Sequence, residues 1–239
     1  MVIAMQNQEL ALLTGLVKNQ VLTWGEMLTV PFIIWSIMAI LPLGIAYLWR
    51  NSKAFMVANG KFLVFASGAY QKIGGHQAVR NEAAEDLALG RLIKGAKFNW
   101  RIYDVTDSVT TRMYTGFRSA WAGFTKNFFA IFDYRLLPAL FVWCWLLIIT
   151  FHPLVAALLF GINGSFNGRF WAASGTVVLS SAIWLITAVK TRLLKRIVIC
   201  YPVITALACT IGFASIIKTV CQRTEWKGRW LPRHRIRIV

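Results

Sequence analysis

The stretch LLPALFVWCWLLIITFHPLVAALLF, residues 136–160, contains no side chain with a formal charge. A helix of about 20 apolar residues is long enough to cross the hydrocarbon core of a bilayer. Two further uncharged runs follow at 170–189 and 197–217. The sequence therefore predicts transmembrane helices over residues 136–217.

The composition of the whole chain also favours a membrane protein. Of the 239 residues, 57% are hydrophobic and eleven are Trp, which is more apolar than a soluble core requires. A fourth apolar run, 27–49, contains Pro31 and Pro42, and a proline inside a helix removes a backbone hydrogen bond. We expect this run to be interfacial or re-entrant, or to cross as a bent helix.

The net charge of +17 arises from 26 Lys and Arg against nine Asp and Glu. The basic residues lie just outside the apolar runs, so we expect anionic membrane lipids as partners and no nucleic acid. The segment KTRLLKR, 190–196, holds four basic residues, whereas the loop 161–169 holds only Arg169. This contrast predicts that KTRLLKR lies in the cytoplasm.

The tail, 218–239, is basic as well and is expected to be cytoplasmic. A crossing helix over 197–217 would place it on the opposite side from KTRLLKR. Either the 197–217 segment, which contains Pro202 and Gly212, dips into the membrane and returns, or the tail is an exception to the charge rule. The first explanation is favoured.

The cysteines and histidines have no spacing typical of a metal site or a disulfide framework. Three cysteines lie within apolar runs and one just beyond, and the histidines are scattered: Cys144, Cys200, Cys209, Cys221, His76, His152 and His234. We predict no metal site in this chain.

Residues 50–135 predict a water-facing α/β unit. Lys61–Ala66 is rich in β-forming residues and predicts a short buried strand. A helix capped by Ser67 should follow and end at Gly74 and Gly75, which can adopt the left-handed conformation.

A second helix is predicted over Glu82–Ala96. Its apolar residues at helical spacing, which define one buried face, are Leu89, Leu92, Ile93 and Ala96. Lys97–Tyr103 and Val109–Tyr114 predict two further strands.

Two of the nine acidic residues, Glu85 and Asp86, are adjacent in the first turn of that second helix. Acids in a first turn are stabilised by the helix macrodipole by about 0.3–1 kcal/mol, which explains the pair without any activity. Alternatively, one of the two carboxylates is a general base that removes a proton from an attacking hydroxyl.

Several motifs occur in a defined order: ANGKFLVFASGAYQKIGG (58–75), AAEDLALGRLIKG (83–95), VTTRMYTGFRSAWAGFTKN (109–127), the apolar runs and TEWKGRW (224–230). Over about residues 20–230 this order resembles the second half of a membrane-bound family 2 glycosyltransferase. The chain is most similar to bacterial members that glycosylate lipid acceptors such as carotenoids or hopanoids. The resemblance implies a partial GT-A fold, its acceptor-side half, over 1–135, followed by transmembrane helices.

The resemblance also implies roles for individual residues. Asp86 would be the catalytic base, with Glu85 supporting or orienting it. Arg112 matches the arginine of the family's Q/R-x-x-R-W motif, which here lacks the Trp and the first residue, and would contact the donor pyrophosphate or the acceptor. Trp226 and Arg229 match the W-[RK]-G-R element that follows the last membrane segment and returns to the active-site side.

These residue types suit sugar transfer on chemical grounds alone. Direct displacement at a sugar carbon needs an acceptor oxygen without its proton, and a carboxylate can remove that proton. A guanidinium such as that of Arg112 can hold the departing diphosphate through paired hydrogen bonds. Asn59 and Gly60 either let the backbone approach a sugar closely or form a simple turn.

The segment 116–132 carries aromatic residues at helical spacing: Phe117, Trp121, Phe124 and Phe128. This pattern predicts an interfacial helix that holds the catalytic unit against the bilayer. The alternative is a helix that packs against the sheet.

The first half of a GT-A domain, with a D-x-D motif that binds Mg or Mn and the nucleotide sugar, has no counterpart in the sequence. Asp104 and Asp107 have D-x-x-D spacing and predict a turn. We therefore expect a truncated or split enzyme that is poorly active or inactive alone. It is a fragment gene, a sequence with a mis-called start, or a partner for a separate donor-binding polypeptide. Its expected location is the cell inner membrane, multi-pass, with the catalytic portion cytoplasmic. The alternative is a non-catalytic integral membrane protein that binds anionic lipid or a partner.

Overall fold

The computed structural model describes residues 2–39, 56–221, 225–226, 229–230 and 236–238. The helices are α1 (Val2–Asn7), α2 (Trp24–Met27), α3 (Val30–Ala39), α4 (Ser67–Lys72), α5 (Gly75–Ala78), α6 (Glu85–Gly95), α7 (Phe117–Asn127), α8 (Leu136–Ile162), α9 (Gly168–Lys190) and α10 (Ile197–Val220). The strands are β1 (Leu12–Leu16), β2 (Lys18–Asn19), β3 (Leu63–Phe65), β4 (Trp100–Asp104), β5 (Thr110–Thr111), β6 (Glu225–Trp226) and β7 (Arg229–Trp230). A 3₁₀ turn, Ala130–Phe132, precedes α8.

β1 is the central strand of a three-stranded sheet with the order β3-β1-β4. It pairs antiparallel with β3, with Leu12 opposite Phe65, and parallel with β4, with Leu12 opposite Trp100. Leu12 and its neighbour Leu13 are fully buried, as expected for the middle of a sheet. The run LLTGL is too short, and too interrupted by Thr and Gly, to predict this strand from sequence.

The predicted strands appear in shorter form. β3 confirms a strand within 61–66, although its residues are half-buried and not fully buried. β4 overlaps the predicted 97–103 strand and extends one residue beyond it. Of the predicted 109–114 strand, only β5 is observed, and it pairs with β2. Asp104 Oδ1 accepts hydrogen bonds from the Thr106 backbone N–H and hydroxyl, which confirms a turn at the D-x-x-D spacing.

The helix α4 begins at Ser67 and is preceded by Ala66 at its N-cap, with no side-chain cap. The predicted Ser67 cap is therefore wrong, because Ser67 already belongs to the first turn. Gly74 and Gly75 have φ angles of 79° and 54°, which confirms the left-handed residues predicted after this helix.

The helix α6 confirms the predicted second helix but starts at Glu85 instead of Glu82. Leu89 and Ile93 are fully buried, as predicted, whereas Ala96 is exposed just after the helix. Lys94 is buried, although it was not part of the predicted face. Its Nζ lies 5.8 Å from the centre of the Trp100 ring.

The described part of the 27–49 run forms the end of α2 and α3. Pro31 lies in the first turn of α3, where the missing N–H costs no helical hydrogen bond. α3 buries Val30, Phe32 and Ile34 and packs against α9 and α10. Residues 40–49, including Pro42, lie outside the described residues.

The helix α7 places its aromatic residues in two environments. Phe124 and Phe128 are buried, and the Phe128 ring stacks 5.3 Å from that of Trp143 on α8. Phe117 is 40% exposed at the start of the helix. Trp121 is half-buried and packs against the same core, so most of the predicted stripe contacts protein and Phe117 is its exposed member.

Among the described residues, α8, α9 and α10 are long and apolar enough to cross a membrane, judged by length and composition. They confirm the predicted apolar runs as helices, and each extends a few residues beyond its run. Large apolar side chains are exposed along α8 and α9, for example Phe141 and Val178, and such surfaces are stable in lipid.

The described part of the tail returns to the start of α8. The backbone N–H groups of Leu136 and Leu137 donate to the carbonyls of Arg237 and Ile238 at 2.8 and 3.0 Å. Arg237 also forms an ion pair with Asp133 at 3.0 Å. The hairpin of β6 and β7 lies against α7.

Candidate active site

Asp86 lies in the first turn of α6, with its carboxylate turned towards the loop before β3. Its Oδ2 accepts a 2.8 Å hydrogen bond from the Gly60 N–H, and its Oδ1 accepts one of 2.7 Å from the Leu87 N–H. The side chain is half-buried. Two backbone donors therefore fix the orientation of this carboxylate.

Burial raises the pKa of Asp86 above the ordinary value of an aspartate. The negative charge of Glu85 raises it further, whereas the two backbone hydrogen bonds and the positive charge of Lys61 lower it. The balance leaves Asp86 a stronger proton acceptor than an exposed aspartate. A raised pKa brings a carboxylate closer to the range in which general bases work best.

Asp86 lines a cavity of about 410 Å³ between the sheet, α3, α6 and α7. The wall on the α3 side is apolar and includes Ile33, Ile34 and Ile37. The cavity is large enough for part of a lipid-like molecule, since small-molecule sites typically have about 300–1,000 Å³. A larger depression of about 620 Å³ runs along β4, but Asp86 does not line it.

Lys61 and Tyr114 also line the cavity and interact electrostatically with Asp86. Burial lowers the pKa of Lys61, and the charge of Asp86 opposes that change. Burial and the charge of Asp86 raise the pKa of Tyr114 to about 12, so the phenol stays protonated. The cavity therefore contains a carboxylate, an ammonium and a phenol within one electrostatic group.

Two asparagines bring unsatisfied acceptors to the same cavity. Asn19 Oδ1 and Asn127 Oδ1 are buried, and neither has a hydrogen-bond partner among the described residues. Asn19 is only 7% exposed, and its Nδ2 already donates to the Val17 carbonyl at 3.1 Å. A buried acceptor without a donor is costly, so each oxygen would be stabilised by any donor that reaches it.

Arg112 has an acidic partner that the sequence did not reveal. Its Nη2 lies 2.8 Å from Oε1 of Glu26, and its Nε lies 3.4 Å from Oε2. Glu26 is fully buried in α2, and the hydrogen bond from Arg112 lowers its pKa to about 2. Arg112 itself does not line the Asp86 cavity as the described residues outline it.

Among the described residues that line the cavity, Arg91 is the one arginine. Its Nη2 donates to the Ile131 carbonyl at 2.6 Å, and its Nη1 lies 3.7 Å from Asp133. These contacts tie α6 to the turn before α8. Arg91 therefore has a positioning role at the boundary between the α/β unit and the apolar helices.

The structure brings three of the predicted site residues together. Asp86, Gly60 and Asn59 are neighbours, and a Cβ on Gly60 would lie 3.1 Å from Asp86 Oδ2. The Asn59 side chain donates to the Gly15 carbonyl at 2.9 Å and so braces the loop against β1. Gly60 thus permits the backbone to approach the Asp86 carboxylate closely. Glu85 is exposed beside them.

Trp226 and Arg229 are opposite each other in the pairing of strands β6 and β7. The hairpin lies against α7, which carries cavity residues such as Phe124. The backbone therefore returns to the side of the α/β unit after the last apolar helix. The roles of both side chains stay predictions.

Within the described ranges, no group of three or more His, Cys, Asp or Glu is placed to hold a metal ion.

Comparison with protein-family models, curated proteins and solved structures gives no match. The site therefore has to be interpreted from its own geometry. Sequence reasoning missed Lys61, Tyr114, Asn19 and Asn127 as residues that line the cavity, and it missed Glu26 as the partner of Arg112. Lys61, Tyr114 and Asn127 lie within the quoted motifs 58–75 and 109–127 but at positions to which no role was assigned, whereas Asn19 and Glu26 lie outside every motif.

Proposed function

We propose that this chain provides the acceptor site and catalytic base of a membrane-bound family 2 glycosyltransferase. The reaction is transfer of a sugar from a nucleotide-sugar donor to a hydroxyl of a lipid-like acceptor, at the cytoplasmic face of the cell inner membrane. One observation carries the proposal: the Asp86 carboxylate, held by two backbone N–H groups, lines a cavity with an apolar wall.

In the proposed step, Asp86 removes the proton of the acceptor hydroxyl. The acceptor oxygen forms a bond to the anomeric carbon, and the bond from that carbon to the diphosphate oxygen breaks. The leaving nucleoside diphosphate takes the electron pair, and the proton stays on Asp86. The raised pKa of Asp86 favours this transfer, because a stronger base removes a hydroxyl proton more readily.

Lys61 supports the step by keeping Asp86 ionised. Its positive charge lowers the pKa of the carboxylate and offsets part of the effect of burial. Arg112 stays a candidate for the donor diphosphate, since the bonds to Glu26 use only part of the five N–H groups of a guanidinium. The donor nucleotide itself would be bound by the first half of a GT-A domain.

The cavity favours an acceptor with an apolar body and more than one hydroxyl group. Ile33, Ile34 and Ile37 would contact the apolar body. The unpaired oxygens of Asn19 and Asn127 would each accept a hydrogen bond from a hydroxyl. Such a molecule could enter from the leaflet without leaving the membrane.

The test is transfer of a radiolabelled sugar to extractable lipid by membranes that contain the full chain and a donor-binding family 2 polypeptide. Asp86→Asn keeps the volume and one acceptor oxygen, and it should lower transfer by about 100-fold or more. Glu82→Gln, which removes an exposed carboxylate before α6, is the matched control and should leave transfer unchanged. Undiminished transfer by Asp86→Asn would exclude Asp86 as the base.

A non-catalytic lipid-binding protein is the second candidate, favoured by the exposed basic residues Lys195 and Arg196 beside α10. Photoreactive long-chain diols distinguish the two functions. The enzyme is favoured if crosslinks form at residues that line the Asp86 cavity and are lost when a larger side chain fills that cavity. Binding that depends only on anionic headgroups and weakens with salt favours the lipid-binding protein.

A further inference from the structure

We infer that α10 lies along the membrane surface instead of crossing the bilayer. One of its faces packs on the protein, and the other rests on the acyl chains of a single leaflet. With 24 residues, α10 has a length of about 36 Å, so length alone allows either placement. This inference is independent of the chemistry proposed for Asp86, because it rests on the contacts, burial and charges along α10 and not on any reaction.

The helix starts on the side of the α/β unit. Just before it, Arg192 forms an ion pair with Asp107, which follows β4. Thr191 lines the Asp86 cavity. The segment that joins α9 to α10 is therefore in contact with the α/β unit.

The middle of α10 stays near the end of α9 and the start of α8, which are both on the side of the α/β unit. The ring of Tyr201 lies 6.2 Å from that of Trp184, which is about 9 Å before the end of α9. Eight residues later, Cys209 Sγ lies 3.5 Å from the Trp143 carbonyl, about 10 Å after the start of α8. Both contacts are at similar distances from the side of the α/β unit.

The end of α10 also lies on the side of the α/β unit. Ser215 Oγ accepts a 3.0 Å hydrogen bond from the Phe129 N–H, and Phe129 precedes α8 in the chain. Tyr201 and Ser215 are about 21 Å apart along the helix. A crossing α10 would bring Ser215 close to the far ends of α8 and α9, not to Phe129.

Burial and the path of the tail agree with this placement. The share of the most apolar stretch that is buried is 44% for α10, against 11% for α8 and 22% for α9. The β6–β7 hairpin begins four residues after Cys221 and lies against α7. No second crossing helix is described between α10 and this hairpin.

The lipid-facing surface of α10 is a single stripe at helical spacing, formed by Ile199, Val203, Thr210 and Ile217. Ile199 is 85% exposed and Ile217 is 61% exposed, although both are apolar. Basic residues flank the helix, with Arg196 before it and Lys218 in its last turn. The stripe therefore fits the acyl chains of one leaflet, and the flanking charges fit anionic headgroups.

With α8 and α9 crossing and α10 in the plane, KTRLLKR and the basic tail lie on the same side. Both then satisfy the positive-inside rule, which a third crossing would violate for one of them. α10 also supports α3 and α7, so it holds the Asp86 cavity at the level of the headgroups.

The first test uses the native Cys221, which is exposed at the end of α10. In the full chain with Cys144→Ser, Cys200→Ser and Cys209→Ala, intact spheroplasts are treated with a membrane-impermeant maleimide. Asn163→Cys and Lys195→Cys, each in a chain with Cys221→Ser, mark the two sides of α9. We expect Cys221 and position 195 to give the same result with the maleimide, and position 163 to give the opposite result. Labelling of Cys221 from the side of position 163 would overturn the inference.

The second test measures depth in reconstituted vesicles. Spin labels at 199, 203, 210 and 217, one at a time, should all report a similar depth near the headgroups. If α10 crosses, the depth along the axis should change by about 27 Å between positions 199 and 217. Labels at 171, 178 and 185 on α9 provide the crossing control, because their depths should differ in either case.

Discussion

The N–H of Gly60 and the Oδ2 of Asp86 are joined by a 2.8 Å hydrogen bond, although the two residues belong to separate elements. A Cβ at position 60 would lie 3.1 Å from this oxygen and 3.3 Å from the Asp86 Cβ. These distances are tighter than normal packing, so a glycine lets the two segments approach each other without displacing the Asp86 side chain. The loop before β3 thereby sets the direction of the carboxylate.

Gly60→Ala should therefore reduce sugar transfer without preventing folding. The added methyl group pushes Asp86 by a few tenths of an ångström, and misplacement of a reacting group is costly, so we expect a decrease of about tenfold in kcat/KM for the acceptor. Gly68→Ala is the control, because a Cβ there meets no atom within 4 Å. Equal activity of both variants would show that the Gly60 contact does not position Asp86.

Lys61→Met should move the acidic limb of the pH–rate profile to higher pH. Transfer requires ionised Asp86, so the rate falls as pH drops through the pKa of that residue. Lys61 lowers this pKa, and its removal therefore raises it. The profile is measured for the wild type, Lys61→Met and Lys72→Met, an exposed lysine on α4. An unshifted limb in Lys61→Met would contradict the assignment of Asp86 as the titrating base.

Glu26 should make the fold sensitive to acid. Its pKa is lowered from 4.5 to about 2 in the folded chain, so its ionised form stabilises the fold at pH values above 4.5. This stabilisation is lost as pH falls from 4.5 towards 2. Melting temperatures of detergent-solubilised wild type and Glu26→Gln should differ at pH 7 and converge in acid. A constant difference across this range would show that Glu26 is not ionised in the fold.

The pattern of apolar residues in the sequence correctly predicted the long helices. The runs that became α8, α9 and α10 are recognisable because about 20 uncharged residues leave few alternatives. Helix α6 was recognisable from Leu89 and Ile93 at helical spacing. The sheet was harder, because β1 is five residues long and its partners are distant in sequence.

The site was predictable only where a motif marked it. Asp86 and Gly60 lie in recognisable motifs, and the structure places them together. Glu26 gives no such signal, since its pairing with Arg112 joins positions 86 residues apart. The orientation of α10 was left open by sequence because composition reports length and apolarity, whereas the contact between Ser215 and Phe129 depends on tertiary structure.

Asn127→Leu should separate binding from stability. The buried Oδ1 of Asn127 has no partner in the described chain, so an apolar replacement removes a cost and the melting temperature should not fall. If this oxygen accepts a hydrogen bond from the acceptor, the affinity for a long-chain diol should weaken by about tenfold. Affinity is measured by competition with a photoreactive analogue. Unchanged affinity would show that Asn127 does not contact the acceptor.

Gly212→Ala should destabilise the packing of α10 on α8. A Cβ at this position would lie 2.6 and 2.8 Å from Cδ2 and Cζ2 of the buried Trp143 ring, which has little room to move. Overpacking of this kind typically costs about 1–3 kcal/mol. Gly175→Ala on α9 is the matched control, since a Cβ there meets no atom within 4 Å and alanine is the better helix former. Thermal melting in detergent should show a lower midpoint for Gly212→Ala alone, and equal midpoints would mean that Trp143 does not hold α10 in this position.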